Sequence, residues 1–479
     1  MVVNRLLPLI LAVALFMENM DSTVIATSLP AIALDIQTSP IALKLALTSY
    51  LVSLAIFIPI SGWVADRFGA KAVFRAAIAV FVVGSVACAA SNSLGAFVLA
   101  RFLQGIGGAM MTPVGRLVLV RSTPKSELVA AMSWLTVPAL VGPLVGPPVG
   151  GFITTYFTWH WIFLINVPIG IIGILLATKF LPEMEREPTP PLDFVGFVLS
   201  GLAASGVVFG LSVVSLPALP PLTGFVTVAL GLVCGALYLA HARRAENPLL
   251  ALDLFQNQLF RASVLGGGLF RIGIGAVPFL LPLMFQLAFG LTPFESGMIT
   301  FVTAIGAIGM KFVTAWIFRT VGFRRVLIVG SLVAAGTIAV NGLFTPDTPY
   351  ALMLTVILAG GFIRSMFFTG VNALAYAEIP PERTSKATPI AAVAQQLNIA
   401  LGVALAGGIL EVQVNLHGGS LTLSDFHVAF FIVAAVSATA SIWFFRLGPD
   451  AGNAVSGHKG RARTVKAVTS PVDPSAPAE

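Results

Sequence analysis

Charge is the scarcest property of this 479-residue chain: Asp, Glu, Lys and Arg together make up 10% of it. A soluble domain carries about 25%, so a water-facing globule is excluded. Cysteine is nearly absent. Cys88 and Cys234 both fall in apolar runs and give neither a disulfide framework nor metal-ligand spacing. No phosphate-cradling G-x-x-x-x-G-K-[ST] motif is present, which argues against ATP-driven pumping. No nucleophile constellation or metal cluster suggests an enzyme, and no cofactor is expected. The first apolar run carries Glu18 and Asp21 and lacks a small-residue cleavage site, so it reads as a retained helix rather than a signal peptide.

What the chain has in abundance is apolar length. It is 57% hydrophobic, in runs of about twenty residues, each long enough to span hydrocarbon. Fourteen candidate helices follow, the first Leu6–Thr27 and the last Phe426–Phe445. The fold expected is an all-α polytopic membrane protein. Of the 27 Lys and Arg, Arg101, Arg271, Lys311 and Arg364 fall inside candidate helices and only Lys44 on the side away from the termini. The positive-inside rule then puts both termini in the cytoplasm. Residues 447–479, basic at Lys459, Arg461, Arg463 and Lys466 and then rich in Pro and Ser, read as a disordered tail. No folded module accompanies that tail, so no nucleic-acid partner is expected.

The chain repeats itself. Trp63 to Gly69 and Trp316 to Gly322 occupy matching turns after the second helix of each half, and Pro124 and Gly142 recur as Pro381 and Gly402. The parsing expected is a six-helix bundle (1–180), a linker with two extra helices, Phe194–Val214 and Leu222–Ala242 (181–258), and a second six-helix bundle (259–446). This is a 6+2+6 arrangement with a cavity between the sixes. Gly142, Pro143, Gly146, Pro147, Gly150 and Gly151 crowd one candidate helix. In water they would break it. In a membrane they suit a close-packed helix at a seam between moving halves. Ordinary small-residue packing is the alternative.

These motifs carry a resemblance. Gly62-Trp-Val-Ala-Asp66-Arg67-Phe-Gly69-Ala-Lys71 resembles the loop signature of the major facilitator superfamily, and Arg101-Phe-Leu-Gln104-Gly105-Ile-Gly107 its fourth-helix motif. Gly142 to Gly151 resembles the antiporter motif, and Met20 to Pro30 the first-helix motif of drug/proton antiporters. Trp159 to Pro168 is similar to an element of the fourteen-helix branch. The departures are Ala26 for Asn, Ala70 for a basic residue, His160 for Arg, and Arg319 where the first loop has Asp66. The resemblance implies export of small organic molecules, often drugs, in exchange for protons and by alternating access; a monomer in the bacterial cytoplasmic membrane is expected.

Intramembrane charges are costly and face cavities or partners. Glu18 and Asp21, three apart, share a helical face. They repel when both are ionised, so one is suited to load and release a proton. Asp21, which the family motif supports, is the expected coupling or gating acid. Glu18 is a second proton carrier or a cation contact, and Arg101 could pair with either. A helix brace and a static ion pair are the structural alternatives. Asp66, Arg67 and Lys71, in a tight loop whose turn Gly69 permits, are expected with Gly62 to latch the halves or merely to set topology. In the second half Arg271, Lys311, Arg364, Gln395, Gln396 and Asn398 are candidate substrate contacts, although Lys311 and Arg364 could instead snorkel. Multidrug export is the favoured expectation. The rivals are export of an organic anion such as a carboxylate or its metal chelate, and a non-transporting sensor or scaffold, which would need no hinge.

Overall fold

The computed structural model describes residues 6–124, 127–184, 189–214, 216, 219–380 and 383–456. Among these the secondary structure is helical throughout. Thirteen helices are long and apolar enough to cross a membrane, and Leu128–Tyr156 is a further 29-residue apolar helix. In chain order they are α1 (Leu6–Asp35), α2 (Lys44–Phe68), α3 (Ala70–Ala89), α4 (Leu94–Ser122), α5 (Leu128–Tyr156), α6 (Trp161–Phe180) and α7 (Phe194–Val214). They continue as α8 (Pro221–Ala242), α9 (Gln258–Ala288), α10 (Pro293–Val321), α11 (Phe323–Asn341), α12 (Tyr350–Tyr376), α13 (Thr384–Leu416) and α14 (Leu423–Phe445). The basic tail expected to be disordered lies outside the described residues from 457 onward.

Several helices outrun the apolar windows that announce them, because hydropathy marks hydrocarbon whereas caps mark ends. At α10 the Thr292 hydroxyl accepts from the Glu295 amide at 3.2 Å while the Glu295 carboxylate accepts from the Thr292 amide at 2.8 Å. This capping box satisfies donors the first turn leaves open. The expected end of the first helix at Thr27 is corrected. The chain tightens into a 3-10 turn over Ile25–Ser28 and continues to Asp35. Pro30 is tolerated there because it sits in the first turn of the resumed helix, where its missing amide costs little. The turn expected around Asp66 and Arg67 is also narrower than the motif suggests. Both are helical, and Gly69 alone turns the chain at φ 92°, a conformation glycine adopts freely. Gly322 does the same at φ 82° in the second half.

In the first half, α1 packs on α4, α5 and α6, and α4 on α2 and α3. In the second, α9 packs on α13 and α14, and α12 on α10 and α11. The halves meet where α5 lies along α10 and α2 along α13. The pair α7 and α8 pack on each other, and α7 also touches both α2 and α13. Outward faces are apolar, with Phe312 at 85% and Trp316 at 66% exposure. Surfaces of this kind fit lipid and would aggregate in water.

Candidate functional site

The glycines of α5 bring two other helices against it. A Cβ added at Gly142 would meet the Met20 amide nitrogen at 2.9 Å, and one at Gly150 would meet Thr27 Oγ1 at 2.8 Å, both on α1. Gly146 faces Thr23 and Val24 of the same helix. Gly151 points elsewhere: its Cβ would lie 2.8 Å from Phe294 Cα of α10. Gly297 of α10 in turn faces the Pro147 carbonyl. Thus α5 is closely apposed to its own half on one face and to the opposite half on the other. Gly402 of α13 packs against Ile272 and Ala276 of α9, as Gly142 does against α1, so the internal repeat extends to helix contacts.

That close approach positions the acids of α1. Asp21 is fully buried. Its Oδ2 takes a 2.6 Å bond from Arg101 Nη1, and its Oδ1 accepts from Gln104 Nε2 and Asn166 Nδ2, each at 2.8 Å. Gln104 Nε2 also donates to Ser85 Oγ at 2.8 Å, while Arg101 Nη1 donates to Gln104 Oε1 at 2.5 Å. The Arg101 guanidinium lies over the Tyr50 ring, 4.3 Å from its centroid. Charge in hydrocarbon persists only with such compensation. Of the two partners the sequence offers Arg101, the structure chooses Asp21. Glu18 instead accepts from Thr112 Oγ1 at 2.6 Å.

Glu18, Tyr50 and Arg101 line one wall of a cavity of about 450 Å³, together with Pro143 and Pro147 of α5. Across it stand Pro278 and Pro282 of α9 with Arg364, Gln395 and Gln396. The volume falls within the range of small-molecule sites. The other second-half candidates do not line this cavity. Arg271 donates to Asn372 Oδ1 at 2.7 Å and stacks on Phe368. Lys311 is exposed and donates to Thr369 at 2.8 Å, and Asn398 donates to the Ala394 carbonyl at 2.6 Å. In the loop motif Asp66 pairs with Arg121 of the first half at 2.9 Å, and Lys71 with Glu183 of the linker at 3.0 Å. Gly62 and Arg67 face outward.

Among the described residues, three bonds that join the halves lie at the end remote from the termini. Gln286 donates to the Thr27 carbonyl at 3.0 Å, and the Phe294 amide to Thr155 Oγ1 at 3.1 Å. Lys44 Nζ meets Glu411 Oε2 at 2.7 Å, and both residues are buried. The Lys44 stem lies on Gly407, whose added Cβ would overlap it. Sequence reasoning read Lys44 only as a loop charge and passed over Glu411. The available signal was one opposite charge at the same membrane level in each half.

The Major Facilitator Superfamily model matches residues 11–252 and 263–474. The protein bearing the name multidrug resistance protein MdtD in Pectobacterium atrosepticum is 36% identical over 444 residues, covering 92% of this chain and 95% of that one. Its namesake in an Enterobacter species is 34% identical over 457 residues, covering 95% and 97%. Among crystal structures, a D-xylose-proton symporter superposes with a TM-score of 0.68 at 16% identity, over 94% of this chain and 98% of that one. The POT family transporter PepTSo gives 0.68 at 16%, over 92% and 97%. The chain is a multi-pass membrane transporter that belongs to the Major Facilitator Superfamily.

Proposed function

We propose that this protein exports small organic molecules, as a multidrug exporter, in exchange for protons and by alternating access. The observation that carries the reading is the Asp21 carboxylate. It is sealed among Arg101, Gln104 and Asn166, and Arg101 in turn lines a cavity to which both halves contribute. Protonating Asp21 removes the charge that Arg101 pairs with. Proton load and the contact between α1 and α4 are then the same event. The two bundles are residues 1–180 and 259–446, with the linker and extra pair at 181–258 and a cytoplasmic tail from 447. The protein works as a monomer in the inner membrane. Basic residues cluster on the side of the termini, which supports a cytoplasmic placement for both. The cross-half bonds at Lys44, Thr27 and Thr155 then close the outer end, and the cavity serves the inner one.

Multidrug relatives at 34–36% identity over nearly the whole chain support the substrate class. The test is transport in proteoliposomes with an imposed pH gradient, over a panel of lipophilic cations, carboxylates and molecules that carry both charges. Gradient-driven movement is expected, and Asp21→Asn is expected to abolish the drive while leaving downhill exchange. Coupled transport that survives Asp21→Asn would refute the assignment of the coupling acid.

A further inference from the structure

The cavity carries opposite charges on opposite walls. Glu18 lies on the α1 side and the Arg364 guanidinium of α12 on the other. Arg101, the other cation at the rim, is already committed to Asp21. Arg364 has no hydrogen-bond or carboxylate partner among the described residues, and neither do the side-chain amides of Gln395 and Gln396. The Tyr50 hydroxyl on the Glu18 side is buried and unpartnered as well. The Tyr50 hydroxyl is costly to leave unpaired, and the half-buried Arg364, Gln395 and Gln396 open onto the cavity with their donors uncommitted, so a ligand that enters can supply bonds to all four.

We infer that the substrate is dipolar, its carboxylate held by Arg364 with Gln395 and Gln396, its protonated amine by Glu18 with Tyr50. This deepens the export reading and rests on that cavity being the transport site. A carboxylate can take a two-pronged bond from a guanidinium, which adds direction to charge. A simple lipophilic cation is repelled by Arg364 and a simple anion by Glu18, so the pair selects by rejection as well as by attraction. Only a molecule with both charges satisfies both walls.

The test uses three forms of one fluorophore with the purified full-length protein in detergent near neutral pH. Norfloxacin carries a carboxylate and an amine, its methyl ester keeps only the amine, and its N-acetyl form keeps only the carboxylate. Binding is read by fluorescence anisotropy, which needs no pH gradient. The zwitterion should bind at least tenfold more tightly than either derivative. Arg364→Gln should erase its advantage over the ester, and Glu18→Gln its advantage over the N-acetyl form. Arg364→Lys should keep most of the preference, which separates loss of charge from loss of fold. Ester binding as tight as the zwitterion would overturn the inference in favour of a cation site, and equal binding of the N-acetyl form in favour of an anion site. Equal weakening of all three by Arg364→Gln, or no saturable binding of any form, would overturn it too. The expected selectivity without gradient-driven transport would uphold the dipolar site and sink proton exchange instead.

Discussion

Replacing Glu411 by Gln removes the charge that Lys44 Nζ meets at 2.7 Å, in a setting where both residues are buried. Deleting one member of a buried pair costs roughly 3–5 kcal/mol, since the remaining charge stays out of water. If α2 and α13 part when the outer end opens, Lys44 regains its hydration there. An exposed pair is worth only about 0–1 kcal/mol. Nearly all the cost therefore falls on the closed form. At about 1.4 kcal/mol per factor of ten, the balance should move towards outer opening by roughly two orders of magnitude or more. The reporter is Thr155→Cys, near-isosteric and placed where Phe294 of α10 donates across the seam, in a background with Cys88 and Cys234 replaced. Its labelling by an impermeant maleimide from the outer side should accelerate at least tenfold in Glu411→Gln and in Lys44→Met. The double variant Lys44→Met with Glu411→Met should return to slow labelling, because an apolar pair of similar volume is neutral or stabilising. Parent-like labelling in both single variants would refute the latch. Fast labelling in the double variant would refute its electrostatic origin.

Two further predictions use neighbouring glycines and the linker. Gly150→Ala drives a methyl into Thr27 of the same half, so it should lower the melting temperature by an overpacking cost of about 1–3 kcal/mol. Gly151→Ala meets Phe294 of the opposite half, so it should speed Thr155→Cys labelling with little change in melting. The reverse pattern in a thermal-shift and labelling pair would contradict the assignment of faces. Asp193, just before α7, accepts from the Gly196 amide at 2.8 Å, the Leu249 amide at 3.0 Å and His241 at 2.7 Å. Burial pushes its carboxyl up, but these bonds outweigh that and hold it below the usual carboxylate range. A depressed acid stabilises the fold at pH above its ordinary value and loses that contribution as the pH falls through the lowered one. Melting of the parent protein should therefore drop more steeply below about pH 4 than that of Asp193→Asn. Identical acid profiles would show that the cluster adds nothing.

Much of the architecture is legible in the sequence because hydrocarbon imposes length. Twenty apolar residues leave few alternatives to a helix, so Trp161–Phe180 can be read to the residue. The ends are less legible, since Thr292, Glu295 and Pro30 act through backbone bonds that hydropathy ignores. The pairing of Asp21 with Arg101 is foreseeable because an isolated charge in lipid demands an opposite. What the chain does not disclose is helix rotation. Arg271 and Arg364 look equivalent as letters, yet one bonds to Asn372 and the other lines the cavity. Lys44 and Glu411 lie 367 positions apart. Only the apposition of α2 with α13 makes them neighbours, and no local pattern in either helix announces it.

The two-faced character of α5 has a consequence for how such a chain can change over generations. Methyl groups are barred from the Gly142, Gly146 and Gly150 side by α1 of the same half, and from the Gly151 side by α10 of the opposite half. Under the alternating access proposed above, α10 draws away in one posture and α1 does not. Substitutions on the first side should then damage the protein outright, whereas those on the second should adjust how long it dwells in each posture. On that proposal turnover is tunable along a single row of atoms without dismantling the bundle.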